Sequence, residues 1–245
     1  METIVSKNNP TVKELASLKE KKGRRENGTY LVEGTKMLRE CVAGGQKIKR
    51  IVRREDYEGE RYPYEEVVLG KDAFSFVCDA KTPQGIAAEI YIPHRALTPP
   101  EGACIVLDGV SDPANVGAIV RTAVAAGYGD IYCIDCADPY SPKSVRASMS
   151  GIFFAKIMQG SREEILTALE GVPLVAADMN GENAFIFRAP VKFALAIGNE
   201  GNGLSKEVRA AARYTVRIPM DERTESLNAA VSAGILMYLL KKDTF

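Results

Sequence analysis

A chain of 245 residues can build one large α/β domain or two smaller ones. Its composition, 46% apolar and 26% charged without a low-complexity tract, excludes fibrous and disordered classes, and no run nears the roughly 18 apolar residues of a membrane span. The net charge of zero argues against indiscriminate nucleic-acid binding, yet residues 1–54 carry fourteen Lys and Arg against six Glu, a locally basic face of the kind that phosphate contacts require.

Asn9-Pro10 reads as an N-cap followed by proline at the first helical position, and Val12, Leu15, Ala16 and Leu18 extend a helix to Lys22, stopped by Gly23. Lys21-Lys-Gly-Arg-Arg25 is then expected as an exposed basic loop. A strand over 29–33, a helix over 34–42, strands over 48–52 and 66–69, a helix over 71–78 and a strand over 84–91 complete a small αβα unit of about ninety residues, a size able to fold independently. Residues 92–101, with Pro93, Pro99 and Pro100, form a semi-rigid extended linker. His94, the single histidine, lies there, which makes histidine-based catalysis a poor expectation.

The second unit alternates strands and helices at 103–108, 114–126, 130–134, 142–149, 152–158, 161–169, 173–178, 193–198, 204–212, 214–218 and 226–240. Strands written as continuous apolar runs, such as Ala103 to Leu107 and Lys192-Phe-Ala-Leu-Ala-Ile197, belong to a mainly parallel sheet with helices on both faces. The five cysteines are odd in number and lie mostly in apolar runs, as buried reduced thiols do; Cys133-Ile-Asp-Cys136 has metal or redox spacing but lacks a second pair, so no metal is expected. The N-terminus lacks a signal-peptide profile, which points to the cytoplasm.

Three strand-to-loop-to-helix junctions concentrate the polar residues, and open α/β sheets bind ligands at the carboxyl ends of their strands. The first runs from Asp108 through Asn115 to Arg121 on the following helix. The second is Gly198-Asn199-Glu200-Gly-Asn-Gly203. The third is Ile218-Pro-Met220, leading to Ser226-Leu227-Asn228 and a long apolar helix. A Gly-x-x-x-x-Gly-Lys-Ser/Thr loop is absent, as is Gly-x-Gly-x-x-Gly after the first strand, which lowers the expectation of a nucleotide hydrolase or a dehydrogenase.

In this order and with these residues, the junctions resemble the motifs of the SpoU/TrmH family of RNA ribose 2′-O-methyltransferases. The opening basic helix with Tyr30-Leu-Val-Glu-Gly34 is similar to the ribosomal-protein-like substrate-binding domain that precedes many such catalytic domains. The resemblance implies an RNA substrate-binding domain over 1–98 and a catalytic domain over 102–245 whose C-terminal segment is threaded into a deep trefoil knot. It implies S-adenosylmethionine as cofactor, held by Gly198, Asn199, Glu200, Gly203, Ile218, Met220 and Leu227, and rRNA or tRNA as substrate.

In the family the arginine matching Arg121 is assigned to activating the 2′-hydroxyl. A guanidinium stays protonated, so gripping the adjacent phosphate is the easier role to see. Asn115, Glu200, Ser226 and Asn228 are the remaining catalytic candidates. One departure is Ala230, where the family often has serine. Lys21, Lys22, Arg24, Arg25, Lys36 and Arg39 are the candidate RNA contacts. The apolar last helix, with Leu227, Val231, Ile235, Leu236, Tyr238 and Leu239, together with the habit of the family, predicts a homodimer. The competing expectation from another class is a non-catalytic RNA-binding protein that keeps the fold as a scaffold; a nicotinamide-dependent oxidoreductase rests on the α/β pattern alone.

Overall fold

A computed structural model describes residues 2–224 and 226–241. The chain divides into two units: residues 1–94 with Tyr140–Val145, and residues 95–139 with 146–245.

In the first unit the elements are β1 (Thr3–Ile4), α1 (Pro10–Ser17), α2 (Lys21–Asn27), β2 (Thr29–Glu33), α3 (Thr35–Ala43), β3 (Ile48–Arg54), β4 (Glu66–Leu69), α4 (Lys71–Val77) and β5 (Ile86–Tyr91). The strands form one sheet in the order β1-β4-β3-β5-β2, parallel from β1 to β3 and antiparallel at both edges of β5. Val12 and Leu15 of α1 and Phe74 and Val77 of α4 bury against Val52, Leu69 and Ala87 of the sheet. Asn9 caps α1 by accepting the Thr11 N–H at 2.9 Å, as expected from Asn-Pro.

The basic segment corrects the sequence reading. Lys21 to Arg25 is the first part of helix α2, and Gly23 lies buried inside it. A Cβ at Gly23 would come within 2.1 Å of the Ser17 carbonyl oxygen, so this glycine permits a close approach of α2 to the end of α1 and stops neither helix. The stop of α2 comes at Gly28, which adopts the left-handed conformation with φ 63°. Strand β1 was not anticipated, because two residues carry no periodicity and only pairing with Val68 and Leu69 defines them.

In the second unit the elements are β6 (Cys104–Asp108), α5 (Pro113–Ala125), β7 (Asp130–Ile134), α6 (Pro142–Ser148), α7 (Gly151–Phe154), β8 (Lys156–Gln159), α8 (Arg162–Ala168), β9 (Leu174–Asn183), β10 (Ala194–Gly198), α9 (Lys206–Ala211), β11 (Tyr214–Arg217) and α10 (Ala229–Leu240). The six strands are all parallel, in the order β11-β9-β10-β6-β7-β8. Every residue of β6 and β7 is buried, as the apolar runs require for strands covered on both faces.

Three boundaries differ from expectation: strand β9, expected over 173–178, runs on to Asn183 because Glu182 and Asn183 pair with Val216 and Arg217 of β11. The stretch 152–158 is not one strand: its first part is the helical turn α7, placed where a Cβ on Gly151 would meet the Arg121 Cα at 2.9 Å. The last helix starts at Ala229, because Asn228 is its N-cap and accepts from the N–H groups of Ala230 and Val231. Because all strands run in one direction, Asp108, Gly198 and the ends of β9 and β11 come out at one rim of the sheet.

Candidate active site

Three loops meet at that rim. Asp108, 2% exposed, closes β6. Its Oδ2 accepts the Ser205 N–H at 2.6 Å, and its Oδ1 accepts from the Arg162 guanidinium at 3.1 Å. Ser205 in turn caps α9 through the Val208 N–H, so the buried carboxylate fastens the first loop to the far end of the second. Gly109 then takes φ 76° and turns the chain. Asp112 caps α5 with Pro113 behind it, which sets Asn115 in the first turn, 8% exposed.

The second loop is closed on itself. Asn199 and Gly203 exchange both backbone hydrogen bonds, and a Cβ at Gly198 would come within 2.3 Å of the Gly203 carbonyl carbon. The Asn199 side chain accepts from the N–H groups of Gly201 and Asn202 and donates to the Gly109 carbonyl at 2.8 Å. This leaves the backbone of the loop, more than its side chains, to face a ligand.

Glu200 is the hub. Its Oε2 accepts from the Ser111 N–H at 3.2 Å and the Ser111 hydroxyl at 3.0 Å; its Oε1 accepts from the Asp112 N–H at 3.4 Å and the Asn115 amide at 2.8 Å. Asn115 accepts in turn from the Asn228 amide at 3.0 Å, and Asn228 caps α10. One polar chain, Glu200–Asn115–Asn228, therefore joins all three loops. Burial pulls the Glu200 carboxyl upward, but the Asn115 amide and the N–H and O–H donors around it outweigh this and hold it below the ordinary glutamate value. The hub is thus ionised at neutral pH.

Beside this chain lies a cavity of about 180 Å³. Ile197, Val216, Ile218, Leu227 and Leu236 supply apolar wall, and Gly198 and Gly203 supply bare backbone. All seven residues expected to hold a cofactor (Gly198, Asn199, Glu200, Gly203, Ile218, Met220 and Leu227) line it, as does Ser226. Sequence reasoning missed Ser111, Asp108, Asp178 and Arg209. An acidic residue ending a buried strand was a visible signal for Asp108; the others owe their place to partners far away in sequence.

Arg121 stands apart. It is exposed, six residues beyond Asn115 on α5 and so about 9 Å further along the helix axis. It is not among the cavity-lining residues, and no hydrogen bond or ion pair joins its side chain to the described residues.

In the first unit, Lys21, Lys22, Arg25 and Lys36 are exposed, with Lys22 3.8 Å from Glu26. Arg39 is exposed but paired with Glu60 at 2.8 Å. Arg24 corrects the list of RNA candidates: it is 3% exposed, and its Nη1 donates to the Leu18 and Lys19 carbonyls at 2.7 and 2.8 Å. These carbonyls would be orphaned at the end of α1, so Arg24 is a structural cap rather than an RNA contact. Cys133 is buried near the end of β7, and the Cys136 thiol donates to the Leu107 carbonyl at 3.2 Å. Among the described residues, no group of three potential metal ligands occurs.

A parallel sheet with an apolar cavity at the carboxyl ends of its strands, walled by glycine backbone and flanked by a rigid polar chain, defines a cofactor-dependent α/β enzyme class. Comparison with known proteins narrows it. Residues 102–238 match the model of the SpoU rRNA methylase family, and residues 9–88 match that of an MRM3-like substrate binding domain. The chain is 31% identical to the 23S rRNA (guanosine(2553)-2′-O)-methyltransferase RlmP of Bacillus subtilis, over 98% of this chain and all of that protein. It is 29% identical to the 23S rRNA (uridine(2479)-2′-O)-methyltransferase of Streptomyces viridochromogenes, covering 88% of this chain and 83% of that one. The crystal structure of an AdoMet-bound rRNA methyltransferase from Sinorhizobium meliloti superposes with a TM-score of 0.89 at 27% identity, over all of this chain and 98% of that one. The chain belongs to the SpoU rRNA methylase family.

Proposed function

We propose that this protein is an S-adenosylmethionine-dependent methyltransferase that methylates a ribose 2′-hydroxyl in ribosomal RNA. The observation that carries the reading is the Glu200–Asn115–Asn228 chain, which locks three loops around an apolar, glycine-walled cavity. The residues present fit the cofactor: Ile197, Ile218 and Leu227 offer a face for the adenine, and Gly198 and Gly203 present bare backbone in a loop folded too tightly on itself for a Cβ at Gly198. Bound there, S-adenosylmethionine would supply a methyl group already activated on a sulfonium, so the protein's task is chiefly alignment.

The residues divide that task. Asn115 is held in one orientation from both ends and presents a fixed amide edge beside the cavity. Glu200 keeps the first and second loops in register. Ser226 lines the cavity ahead of α10, and Asn228, which caps that helix, holds Asn115. Arg121, exposed and unengaged by the described residues, is suited to grip the RNA phosphate next to the target ribose and so orient the hydroxyl. Lys21, Lys22, Arg25 and Lys36 of residues 1–98 would bind the RNA backbone, and Arg39 would do so on release from Glu60.

The first test is nucleoside mapping of ribosomal RNA from cells with and without the protein. One ribose methylation should vanish on deletion and return with the intact gene; an unchanged methylation map would overturn the assignment. The map would also supply the target base, which the named relatives leave open, since one acts on a guanosine and the other on a uridine. An enzyme of this substrate class works where ribosomes are assembled, which supports placement in the cytoplasm.

A homodimer through the second unit is part of the same reading. Val231 and Tyr238 of α10 are 50% and 46% exposed and Phe154 of α7 is 55% exposed, apolar side chains that a partner copy could cover. Leu236, by contrast, faces inward and belongs to the cavity wall. Sedimentation at micromolar concentration is expected to give twice the mass of 26.6 kDa; a monomer would count against the interface. The resemblance further implies that the C-terminal segment carrying α10, which packs on α5 and β10, is threaded as a knot.

A further inference from the structure

Among the described residues, two carboxylates line the cavity, and they are not equivalent. A carboxylate offers about four lone-pair directions. Glu200 fills all four within the protein, with Ser111 N, Ser111 Oγ, Asp112 N and Asn115 Nδ2. Asp178 fills three. Its Oδ1 accepts from the Asn180 N–H at 3.0 Å and the Asn180 amide at 3.3 Å, and its Oδ2 accepts from Arg209 at 2.6 Å. The Asp178 side chain is 13% exposed and borders the cavity. One acceptor direction on Oδ2 is therefore left for a ligand.

Position says which part of the ligand that is. Asp178 lies on β9 two residues beyond Ala176, which pairs with Ala196 of β10; Gly198 lies two residues beyond Ala196 on the neighbouring strand. Strand β9 is on the opposite side of β10 from β6, so Asp178 stands roughly 10 Å across the sheet from the loop that carries Asn115. It faces the part of the cofactor remote from the reacting methyl. Charge narrows the choice further. The Arg209 guanidinium against Oδ2 would repel an ammonium seeking the same oxygen, whereas a neutral hydroxyl needs only the acceptor. Arg209 also reaches the second loop, where a Cβ on Gly203 would lie 3.4 Å from its Nη2.

We infer that Asp178, held by Arg209, is the cofactor-recognition carboxylate of this protein and accepts a hydrogen bond from a ribose hydroxyl of the cofactor's nucleoside. Arg209 acts through Asp178 and is a positioning residue. The inference rests on the cofactor assignment above, and the experiment separates the two. Calorimetric titration of the full-length protein would use S-adenosylhomocysteine and 5′-methylthioadenosine, which share the nucleoside and differ in the amino-acid portion.

Asp178→Asn is expected to weaken both ligands by the same factor, about ten- to a hundredfold, as for a lost hydrogen bond to a charged group. Arg209→Lys, which keeps the charge but not the fork, should weaken both by a smaller common factor and add little on top of Asp178→Asn. The 3′-deoxy and 2′-deoxy analogues of 5′-methylthioadenosine give the sharpest reading. One of them should bind the parent protein more weakly than the full ribose does, and Asp178→Asn should abolish that difference. A loss confined to S-adenosylhomocysteine would mean that Asp178 reads the amino acid and would overturn the inference, as would unchanged affinity for both. Failure of the parent protein to bind either ligand would instead remove the cofactor assignment. Thermal melting of each variant checks the fold, and Asp178→Glu, which retains the charge one methylene further out, serves if Asp178→Asn does not fold.

Discussion

Arg121→Ala is expected to lower methyl transfer by two to three decades while leaving affinity for S-adenosylmethionine within a few fold. The two halves have separate physical grounds. Arg121 is exposed on α5 and is absent from the cavity wall formed by the loop 198–203, Ile218 and Leu227, so its removal takes nothing from cofactor binding. A charged donor that orients the reacting group contributes roughly 2–4 kcal/mol to the transition state, which is about two to three powers of ten in rate. Arg121→Lys should recover little, since an ammonium cannot reproduce the two-pronged geometry of a guanidinium on a phosphate. Single-turnover methylation of ribosomal RNA beside a cofactor titration measures both quantities. Near-parental methylation by Arg121→Ala would end the proposed role. Because a Cβ on Gly151 would press on the Arg121 backbone, the position of this residue depends on α7 as well as on α5.

The second large effect is expected from charge removal on α2. Replacing Lys21, Lys22 and Arg25 together by glutamine should cut RNA affinity steeply and leave cofactor affinity unchanged, since the cavity residues all lie in the other unit. Each phosphate contact contributes roughly 0.9 to the slope of log affinity against log salt on a duplex, so loss of three should flatten that slope by about 2–3. Filter binding across a salt series measures it; an unaltered slope would show that α2 does not meet RNA. Arg24 is left out by design. Its guanidinium caps the Leu18 and Lys19 carbonyls in a buried site, so Arg24→Gln would destabilise the first unit and confuse a folding defect with a binding one.

That contrast between Arg24 and its neighbours marks where a linear reading stops. In the sequence, Lys21 to Arg25 is one basic run, and the glycine at its centre looks like a helix stop. In three dimensions Gly23 is the point at which α2 touches Ser17, and Arg24 turns inward to finish α1. Both facts depend on a helix–helix approach that leaves no periodic trace. The same holds for α7, whose four residues sit in an apolar stretch that reads equally well as strand until Gly151 meets α5.

The site divides along the same line. The parallel sheet and the glycine loop of the cavity were legible in the sequence, whereas Asp178 and Val216 of its lining were not. Strands buried on both faces are written as unbroken apolar runs, and glycines that let backbone approach a ligand cluster within six positions, 198–203; both signals are local. The cluster of polar partners was only partly legible. Asn115, Glu200 and Asn228 could be named as candidates, but the hydrogen bonds that make them one chain span 85 and 113 positions. Ser111, 89 residues from Glu200, and Asp108, 97 from Ser205, had no motif to announce their partners. Asp178 and Arg209 are an ordinary mid-strand acid and helix-face base until β9 is laid beside β10 and the two side chains meet. Local composition determined which strands are buried and where the backbone can come close to a ligand; the pairing of charges across the rim was decided only when the parallel sheet brought its strand ends together, because a hydrogen bond depends on distance in space and carries no memory of distance along the chain.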